Sequence, residues 1–181
     1  MTSVDAATLR QAGVADAERI GLLAARLFVQ AYGSTHPEPE LSRYLQRSFS
    51  TDYFSRALAQ GDRVLVAGDA ADTDCGYAHL RMTHGAPPAG VEAQRAVELA
   101  RFYVDEAWHG QGVAQVLMKG CEREALASGA DALWLGVWQE AARPIAFYRR
   151  AGFTVVGTTT FEFGERRDAD YLMMRTIARE S

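Results

Sequence analysis

Two glycines between an apolar run and a helical pattern are the residues that point most clearly to chemistry. The apolar run ends at Val104, the glycines are Gly110 and Gly112, and a helical pattern of apolar residues starts at Val113. The first turn of a helix leaves backbone N–H groups without intrahelical partners, and such groups bind anions. Because glycine has no Cβ, the backbone there can approach phosphate oxygens closely. The spacing therefore predicts a site for a phosphate-bearing ligand, with a plain tight turn as the alternative.

Two common phosphate-binding motifs do not fit this loop. No Gly-Lys-Ser/Thr sequence follows the glycines, so the P-loop motif is missing. The dinucleotide-binding motif needs a small residue three positions after its second glycine, and Gln115 stands at that position. The loop therefore predicts a phosphate-bearing ligand of another class.

The elements that must position this loop predict an α/β fold. Val97–Val104 and Ala132–Trp138 are apolar runs typical of strands, and the second is apolar on nearly every residue, as expected of a strand buried on both faces. A strand, a helix and a second strand form a right-handed crossover with a parallel strand pair. Pro144 lies in the first turn of a helix predicted over Ala142–Arg150.

The remaining segments contain no repeat or linker that would divide the chain, so residues 1–181 are interpreted as one domain. The periodicity predicts three helices before the loop, from an N-cap at Asp16 to about Gln30, at Leu41–Gln46 and at Asp52–Leu58. It predicts further strands at Ala7–Arg10, Arg63–Ala67, Gly76–Met82, Phe153–Phe163 and Ala169–Thr176.

Three connecting segments carry expectations of their own. Thr35–Glu40, with His36 among acidic residues, is predicted to be a solvated loop whose acids complement a helix dipole. Thr83–Glu92 either borders a substrate entrance or is a plain connection. Gly164–Asp168 is predicted to be the turn of a closing hairpin, and residues 1–6 a frayed end.

Two motifs resemble those of the GNAT-type N-acetyltransferases. The loop from His109 to Ala114 is similar to the family's Gln/Arg-x-x-Gly-x-Gly/Ala motif and matches it at Gly112 and Ala114, whereas His109 departs from the usual Gln or Arg. Ile145–Phe153, read as IAFYRRAGF, resembles the family's second motif, A-x-x-F/L-Y-x-x-x-G-F. The resemblance implies a single α/β domain with a mixed central sheet, splayed parallel strands and flanking helices.

A narrower likeness concerns the PaiA-type spermidine/spermine acetyltransferases. It rests on LGVW at Leu135–Trp138, on ARFYV at Ala100–Val104, and on the spacing from Gly157 to Asp170 and the following methionines. This likeness implies a small-molecule primary amine as the acceptor, with a polyamine as one candidate. An N-terminal peptide amine and an antibiotic amine are alternatives.

The family resemblance implies acetyl-CoA as the co-substrate. Backbone groups of Phe102 and Val104 would bind its acetyl and pantetheine part, and backbone amides from Gln111 to Ala114 would hold its pyrophosphate. The complete set of residues implied in coenzyme binding is Phe102, Tyr103, Val104, His109, Gly110, Gln111, Gly112, Val113, Ala114 and Tyr148.

Two residues are candidates for proton transfer. Tyr148 falls at the family's tyrosine position and would donate a proton to the leaving thiolate, since a phenol pKa near ~10 is close to a thiol pKa near ~8.5. The alternative for Tyr148 is an aromatic packed beneath the sheet. Glu98 would accept the amine proton through a water, or would only form a salt bridge. Ala100 stands where PaiA-type relatives have a second acid, which weakens the transfer of the base role.

Composition restricts the partners of the protein. The 181 residues carry a net charge of −4 without a basic stripe, which argues against nucleic acid. No apolar run reaches membrane-spanning length and no export signal is present, so a cytoplasmic location is expected. Cys75 and Cys121 are far apart and are expected to be reduced and buried, and no histidine spacing indicates a metal.

Two functional classes remain open. The first is an enzyme that acetylates a primary amine. The second is a non-catalytic acyl-CoA-binding regulator, which the departures at Ala100 and Ala141 would suit. Retention of Tyr148 favours the enzyme, and a homodimer is left open.

Overall fold

The computed structural model describes residues 7–82 and 85–178, which form seven strands and five α-helices. The strands are β1 Thr8–Gln11, β2 Arg63–Gly68, β3 Asp74–Arg81, β4 Ala96–Val104, β5 Ala132–Trp138, β6 Thr154–Phe163 and β7 Arg166–Thr176. The helices are α1 Ala17–Tyr32, α2 Glu40–Ser48, α3 Thr51–Ala59, α4 Val113–Ala127 and α5 Ala142–Arg150. Short 3₁₀ turns occupy Val14–Asp16 and Glu106–Trp108.

The sheet is mixed, which confirms the predicted α/β class. Its strand order is β1-β2-β3-β4-β5-β7-β6. The predicted parallel pair is β4 with β5, and its ladder runs over three residue pairs, from Ala96–Ala132 to Glu98–Trp134. The β1–β2, β2–β3, β5–β7 and β6–β7 pairs are antiparallel. The sequence-predicted bounds of β5 and α5 agree with the structure at both ends.

The chain divides into two compact units, and β4 passes from one to the other. Unit 1 consists of Met1–Leu80 and Arg101–Cys121, and unit 2 of Arg81–Ala100 and Glu122–Ser181. Whether residues 1–181 act as one domain stays a prediction, and the predicted frayed end at residues 1–6 lies outside the described residues.

Unit 1 has a core around β2 and β3, with helices on both faces of these strands. Leu65 and Val66 are neighbours on β2, so they face opposite sides of the sheet, and they pair with Ala78 and Tyr77 respectively. A Cβ on Gly120 of α4 would lie 3.0 Å from Leu65, so α4 covers one face. Phe54 of α3 packs edge-on against Tyr77, with ring centroids 6.3 Å apart, so α3 covers the other.

A buried histidine–aspartate hydrogen bond lies inside unit 1, just before β2 begins. His79 on β3 is fully buried, and its Nε2 lies 2.8 Å from Oδ2 of Asp62. The rings of Tyr53 and Phe54 on α3 each lie 6.0 Å from the His79 ring. The hydrogen bond therefore joins the residue before β2 to β3 beneath α3.

Unit 2 is built on the antiparallel strands β5, β7 and β6. Gly152 follows α5 with φ of +89°, the left-handed conformation common after a helix C-terminus, as predicted. The loop 85–92 contacts this unit at Gly90, where a Cβ would lie only 2.6 Å from the carbonyl oxygen of Val156. Only glycine permits that approach, so the loop packs on β6 instead of projecting into solvent.

The closing hairpin has a shorter turn than the predicted Gly164–Asp168. Strand β6 continues to Phe163 and β7 starts at Arg166, so the connection is Gly164-Glu165, with Gly164 at φ of +59°. The charged residues at Arg166–Asp168 resembled a turn, but on an exposed ribbon they can pair across strands. Arg167 does so with Glu162, at 3.3 Å.

Two predictions about exposure are wrong. His36 is buried rather than solvated, because its ring packs against Phe28 and Tyr32 while Nδ1 lies 3.0 Å from the Tyr32 carbonyl oxygen. The helix-dipole part of that prediction agrees with the structure, since Glu38 accepts a hydrogen bond from the Ser42 amide. Strand β5 is not buried on both faces throughout, because Gly136 is exposed.

Candidate active site

The glycine loop in unit 1 places open space in front of the start of α4. Gly110 and Gly112 have φ of +78° and +83°, and no atom lies within 4 Å of a Cβ placed on either residue. Packing therefore does not explain glycine at these positions; the backbone conformation requires it, and the space remains free for a ligand. The open space is compatible with the predicted phosphate site, whose ligand stays a prediction.

The backbone amides of the loop divide into two groups. The Gln111 amide donates to the Trp108 carbonyl at 3.3 Å, so it already has a partner within the turn. Helix α4 begins at Val113, and the Val116 amide donates to the Gly112 carbonyl at 3.1 Å. The amides of Gly112, Val113 and Ala114 come before any intrahelical acceptor is available. Pyrophosphate binding by these three amides stays a prediction.

His109 has a structural contact that the sequence did not reveal. Its Nε2 lies 2.9 Å from the carbonyl oxygen of Val104, across the base of the loop. The Gln111 side chain likewise donates to the Ala107 carbonyl at 2.8 Å. Both side chains therefore hold the loop to itself and to the end of β4, and any role of His109 or Gln111 in phosphate binding stays a prediction.

Asp105 fixes the loop to helix α1. Its carboxylate pairs with Arg26, accepts a bond from Gln30 at 3.3 Å, and caps the 3₁₀ turn by accepting from the Ala107 amide at 3.1 Å. Burial acts to raise the pKa of Asp105, but the bonds from Arg26 and Ala107 outweigh it and hold that pKa below its usual value. Asp105 is therefore an ionised anchor at the exit of β4.

The Tyr103 ring, near the end of β4, packs within a cluster of aromatic side chains. The Tyr103 ring stacks on Tyr77 with centroids 5.8 Å apart and meets Tyr32 edge-on at 6.3 Å. Burial raises the pKa of the Tyr103 hydroxyl well above its usual value. The Tyr103 side chain therefore belongs to the aromatic core of unit 1. Phe102 and Val104 on either side of it are half-buried, and their ligand contacts stay predictions.

Arg101 is a residue that the sequence reasoning missed. Its guanidinium lies 4.6 Å from the ring centroid of Phe49 and 4.4 Å from that of Tyr53. Its Nη1 is buried and has no hydrogen-bond partner among the described residues, so the aromatic faces supply the compensating interaction. A lone arginine inside the apolar run of β4 was the available signal, and the structure shows that it ties β4 to α3.

Glu98 and Tyr148 both lie in unit 2. Nη1 of Arg81 lies 3.2 Å and 3.1 Å from the two carboxylate oxygens of Glu98, which is the salt-bridge alternative considered from the sequence. The Tyr148 ring is buried on α5 against Phe147 and Phe153, with centroids 5.5 Å and 5.7 Å away. Packing of its ring is compatible with chemistry at its hydroxyl, so both proton-transfer roles stay predictions.

Metal and membrane sites receive no structural support in the described part of the chain. In residues 7–82 and 85–178, no three His, Cys, Asp or Glu side chains are grouped so as to hold a metal ion. Within the same ranges, no helix has the length and apolar character needed to cross a membrane. Cys75 and Cys121 are buried and neither takes part in a disulfide, as predicted.

Comparison with known proteins adds independent findings. The acetyltransferase (GNAT) family model matches residues 25–153. An uncharacterized N-acetyltransferase of Mycobacterium tuberculosis is 30% identical over 162 residues, covering 90% of this chain and 98% of that relative. An uncharacterized N-acetyltransferase of Lactobacillus delbrueckii subsp. lactis is 21% identical over 150 residues, covering 83% and 86% of the two chains.

Solved structures are similar in fold. PaiA N-acetyltransferase from Thermoplasma acidophilum, in complex with coenzyme A, gives a TM-score of 0.75 at 18% identity, covering 94% of this chain and 99% of that one. The yncA protein of Salmonella typhimurium, with its cofactor acetyl-CoA, gives 0.66 at 21% identity, covering 97% and 96%.

Proposed function

We propose that this chain, which belongs to the GNAT family of acetyltransferases, is an acetyl-CoA-dependent N-acetyltransferase. Its acceptor would be a primary amine of a small molecule. Transfer would occur by direct attack of the amine in a ternary complex. The observation that carries the proposal is the open glycine loop at the start of α4, where two left-handed glycines have no packing role. A cytoplasmic location is part of the proposal.

The residues of the loop fit the coenzyme that the family uses. Acetyl-CoA would supply an activated acetyl thioester. The amides of Gly112, Val113 and Ala114 would hold its pyrophosphate, helped by the positive end of the α4 dipole. Backbone groups of Phe102 and Val104 would bind the acetyl and pantetheine part, one of them donating to the developing oxyanion.

Tyr148 is proposed to supply the proton that the leaving thiolate needs. As the C–N bond forms and the C–S bond breaks, the amine loses a proton and the sulfur gains one. The phenol hydroxyl of Tyr148 would donate to the sulfur and would be reprotonated from solvent. Glu98 stays the proposed acceptor of the amine proton through a water, and its ion pair with Arg81 is the structural alternative to that role.

The acceptor amine is proposed at the level of its class. The PaiA likeness in sequence and fold supports a polyamine as one candidate. The competing proposal is an acyl-CoA-binding regulator without turnover, and the absence of polar side chains at Ala100 and Ala141 is the observation that favours it.

Release of free CoA thiol separates these two proposals. We expect steady-state thiol release from acetyl-CoA with at least one amine in a panel of polyamines, amino acids, aminoglycosides and N-terminal peptides. The product should be confirmed as an N-acetyl amine by mass spectrometry. Protection of the fold by acetyl-CoA without turnover on any amine would instead support the regulator.

Gly112→Val should abolish stabilisation by acetyl-CoA. Saturating coenzyme should stabilise the wild type by about 2.7 kcal/mol at a hundredfold excess over Kd. A branched side chain on Gly112 would fill the space where phosphate approaches, so the thermal shift caused by acetyl-CoA should disappear. Differential scanning fluorimetry with and without acetyl-CoA measures this.

Gly129→Val is a matched control for Gly112→Val. Gly129 lies just beyond the other end of α4 and has the same φ of +83°, so valine there carries the same backbone strain. The control should lose stability but keep its response to acetyl-CoA. Gly112→Ala provides a milder variant should valine prevent folding. Normal coenzyme affinity in a folded Gly112→Val protein would contradict the assignment of the loop.

His109→Ala should weaken acetyl-CoA binding only slightly. The imidazole already bonds to the Val104 carbonyl, and the backbone amides are the proposed phosphate donors. Loss of that bond should lower the free energy of unfolding by about 1 kcal/mol. Titration calorimetry and urea denaturation measure the two effects. A loss of coenzyme affinity on the order of 2 kcal/mol would show that the side chain itself binds phosphate.

A further inference from the structure

Asp170 on β7 is a buried carboxylate with an unsatisfied oxygen. Only 8% of the residue is exposed, and Oδ1 has no hydrogen-bond partner among the described residues. A buried carboxylate oxygen without a donor is costly, because the protein does not replace the hydrogen bonds that water would make. Such a group needs either a structural partner or a ligand that supplies positive charge and donors.

The surroundings of Asp170 leave room for such a ligand. Asp170 pairs with Trp138 on β5 and with Thr159 on β6, so these three residues form one row on the same face of the sheet. Gly136, two residues before Trp138, lies on that face and is exposed. A Cβ on Gly136 would lie 3.4 Å from Oδ2 of Asp170 and 3.5 Å from Cγ2 of Thr159. The glycine therefore opens a path from solvent to the buried carboxylate.

The side chains in this row suit an ammonium group. A carboxylate supplies charge and hydrogen-bond acceptors, an indole face attracts cations, and a threonine hydroxyl accepts a further N–H bond. The loop 85–92 packs beside the row. A Cβ on Gly90 of this loop would lie 3.8 Å from the side chain of Leu172, which is two residues from Asp170 on β7. The loop thus forms one border of this surface.

The charges near Asp170 add to its need for a cation. Asp168, two residues earlier on the same face of β7, is held by Nε of Arg166 at 2.8 Å. Burial, with a smaller contribution from the negative charge of Asp168, raises the pKa of Asp170 to about 6. At pH 7 to 8 the carboxylate is therefore ionised, and its negative charge is buried.

We propose that Asp170 binds the ammonium group of the acceptor amine, with Trp138 and Thr159 beside it and Gly136 providing access. The inference deepens the proposed N-acetyltransferase function, because it assigns residues to recognition of a cationic primary amine. Asp170 also belongs to the spacing pattern of the PaiA likeness, but its burial and its row with Trp138 and Thr159 come from the structure.

Binding of amines to Asp170→Asn tests the proposal independently of turnover. Asparagine has nearly the same shape but no charge, so affinity for spermidine, putrescine and n-butylamine should fall about 10- to 100-fold, as expected for a hydrogen bond to a charged group. Titration calorimetry at pH 8 measures this, with n-butanol as an uncharged probe that should bind neither protein. Gly136→Ala, which narrows the access, should weaken amine binding without removing the charge.

The stability of Asp170→Asn provides a second readout. The pKa of Asp170 in the folded protein lies above its ordinary value, so ionisation of this carboxyl lowers the free energy of unfolding. This loss of stability develops as the pH rises from about 4 to 6 and is complete above that range. Asp170→Asn should therefore have a higher Tm than the wild type at pH 8, and the gain should fade below pH 6. Asp168→Asn is the control, since Asp168 already has Arg166 as a partner, and its amine affinity should stay within about threefold of wild type.

The outcomes distinguish this inference from the proposed reaction. Acetyl transfer by Asp170→Asn with unchanged KM and Kd for the amine would overturn the inference but leave the proposed reaction supported. A lower Tm of Asp170→Asn than of the wild type at pH 8 would also overturn the inference. Amine binding that depends on Asp170, without thiol release, would keep the inference and overturn the reaction. Failure of all three amines to bind the wild type would overturn the ammonium assignment.

Discussion

Replacing Tyr148 with phenylalanine should lower kcat by about 10²- to 10⁴-fold, the usual contribution of a general acid. The ring of Tyr148 packs against Phe147 and Phe153, so phenylalanine keeps this packing and deletes only the hydroxyl. The affinity for acetyl-CoA should change little, because donation to the thiolate occurs mainly in the transition state. Steady-state thiol release and coenzyme titration measure the two quantities, and the high-pH limb of the rate profile should change or vanish.

Tyr171→Phe is the matched control for Tyr148→Phe. Tyr171 is a half-buried tyrosine in the same unit, on β7, and has no proposed role in proton transfer. Removal of the Tyr171 hydroxyl should leave kcat within about twofold of wild type, a change far smaller than that expected on removal of a general acid. Full activity of a stable Tyr148→Phe protein would refute the acid assignment and leave water or the amine as the proton source. Reduced stability with normal turnover would identify Tyr148 as a packing residue.

Replacing Asp62 with alanine should destabilise the protein by about 1–3 kcal/mol, the cost of leaving a buried hydrogen-bonding group without its partner. Nε2 of His79 lies 2.8 Å from the carboxylate that would be lost, and none of the His79 surface is exposed. Water cannot easily replace the missing acceptor, so the imidazole would be left without this partner. Urea denaturation followed by circular dichroism measures the change.

Two controls separate burial from charge in the Asp62 experiment. Glu162→Ala breaks an exposed pair with Arg167, whose side chains are 67% and 75% exposed, so it should cost less than about 1 kcal/mol. The double variant Asp62→Leu/His79→Leu removes both polar groups and should recover much of the loss, because a buried pair contributes little beyond an apolar replacement. A loss below about 1 kcal/mol for Asp62→Ala would show that water solvates His79 readily.

Several elements of the structure could be predicted from the sequence because their signals are local. The glycines before α4 need left-handed backbone conformations, and Pro144 and Gly152 mark the two ends of α5. The apolar run of β5 likewise predicted a strand with correct bounds. Each signal depends on the conformational preference of a few adjacent residues, so no tertiary contact was needed to recognise it.

Residues whose environment depends on partners far away along the chain could not be predicted as well. His36 had the sequence context of a solvated loop, but the rings of Phe28 and Tyr32 cover it. Arg101 gained its environment from Phe49 and Tyr53, which lie about fifty residues away along the chain. Burial arises from packing between separate elements, and a local pattern contains no direct record of that packing.

The sequence by itself determined the glycine loop, the helix that follows it and the order of the elements, because these depend on backbone preference and periodicity. Only the tertiary structure decided that Asp62 is buried with His79 and that Asp170 lies in one row with Trp138 and Thr159. Strand register brings these residues together, and register depends on the combined pairing of whole strands rather than on the identity of one residue.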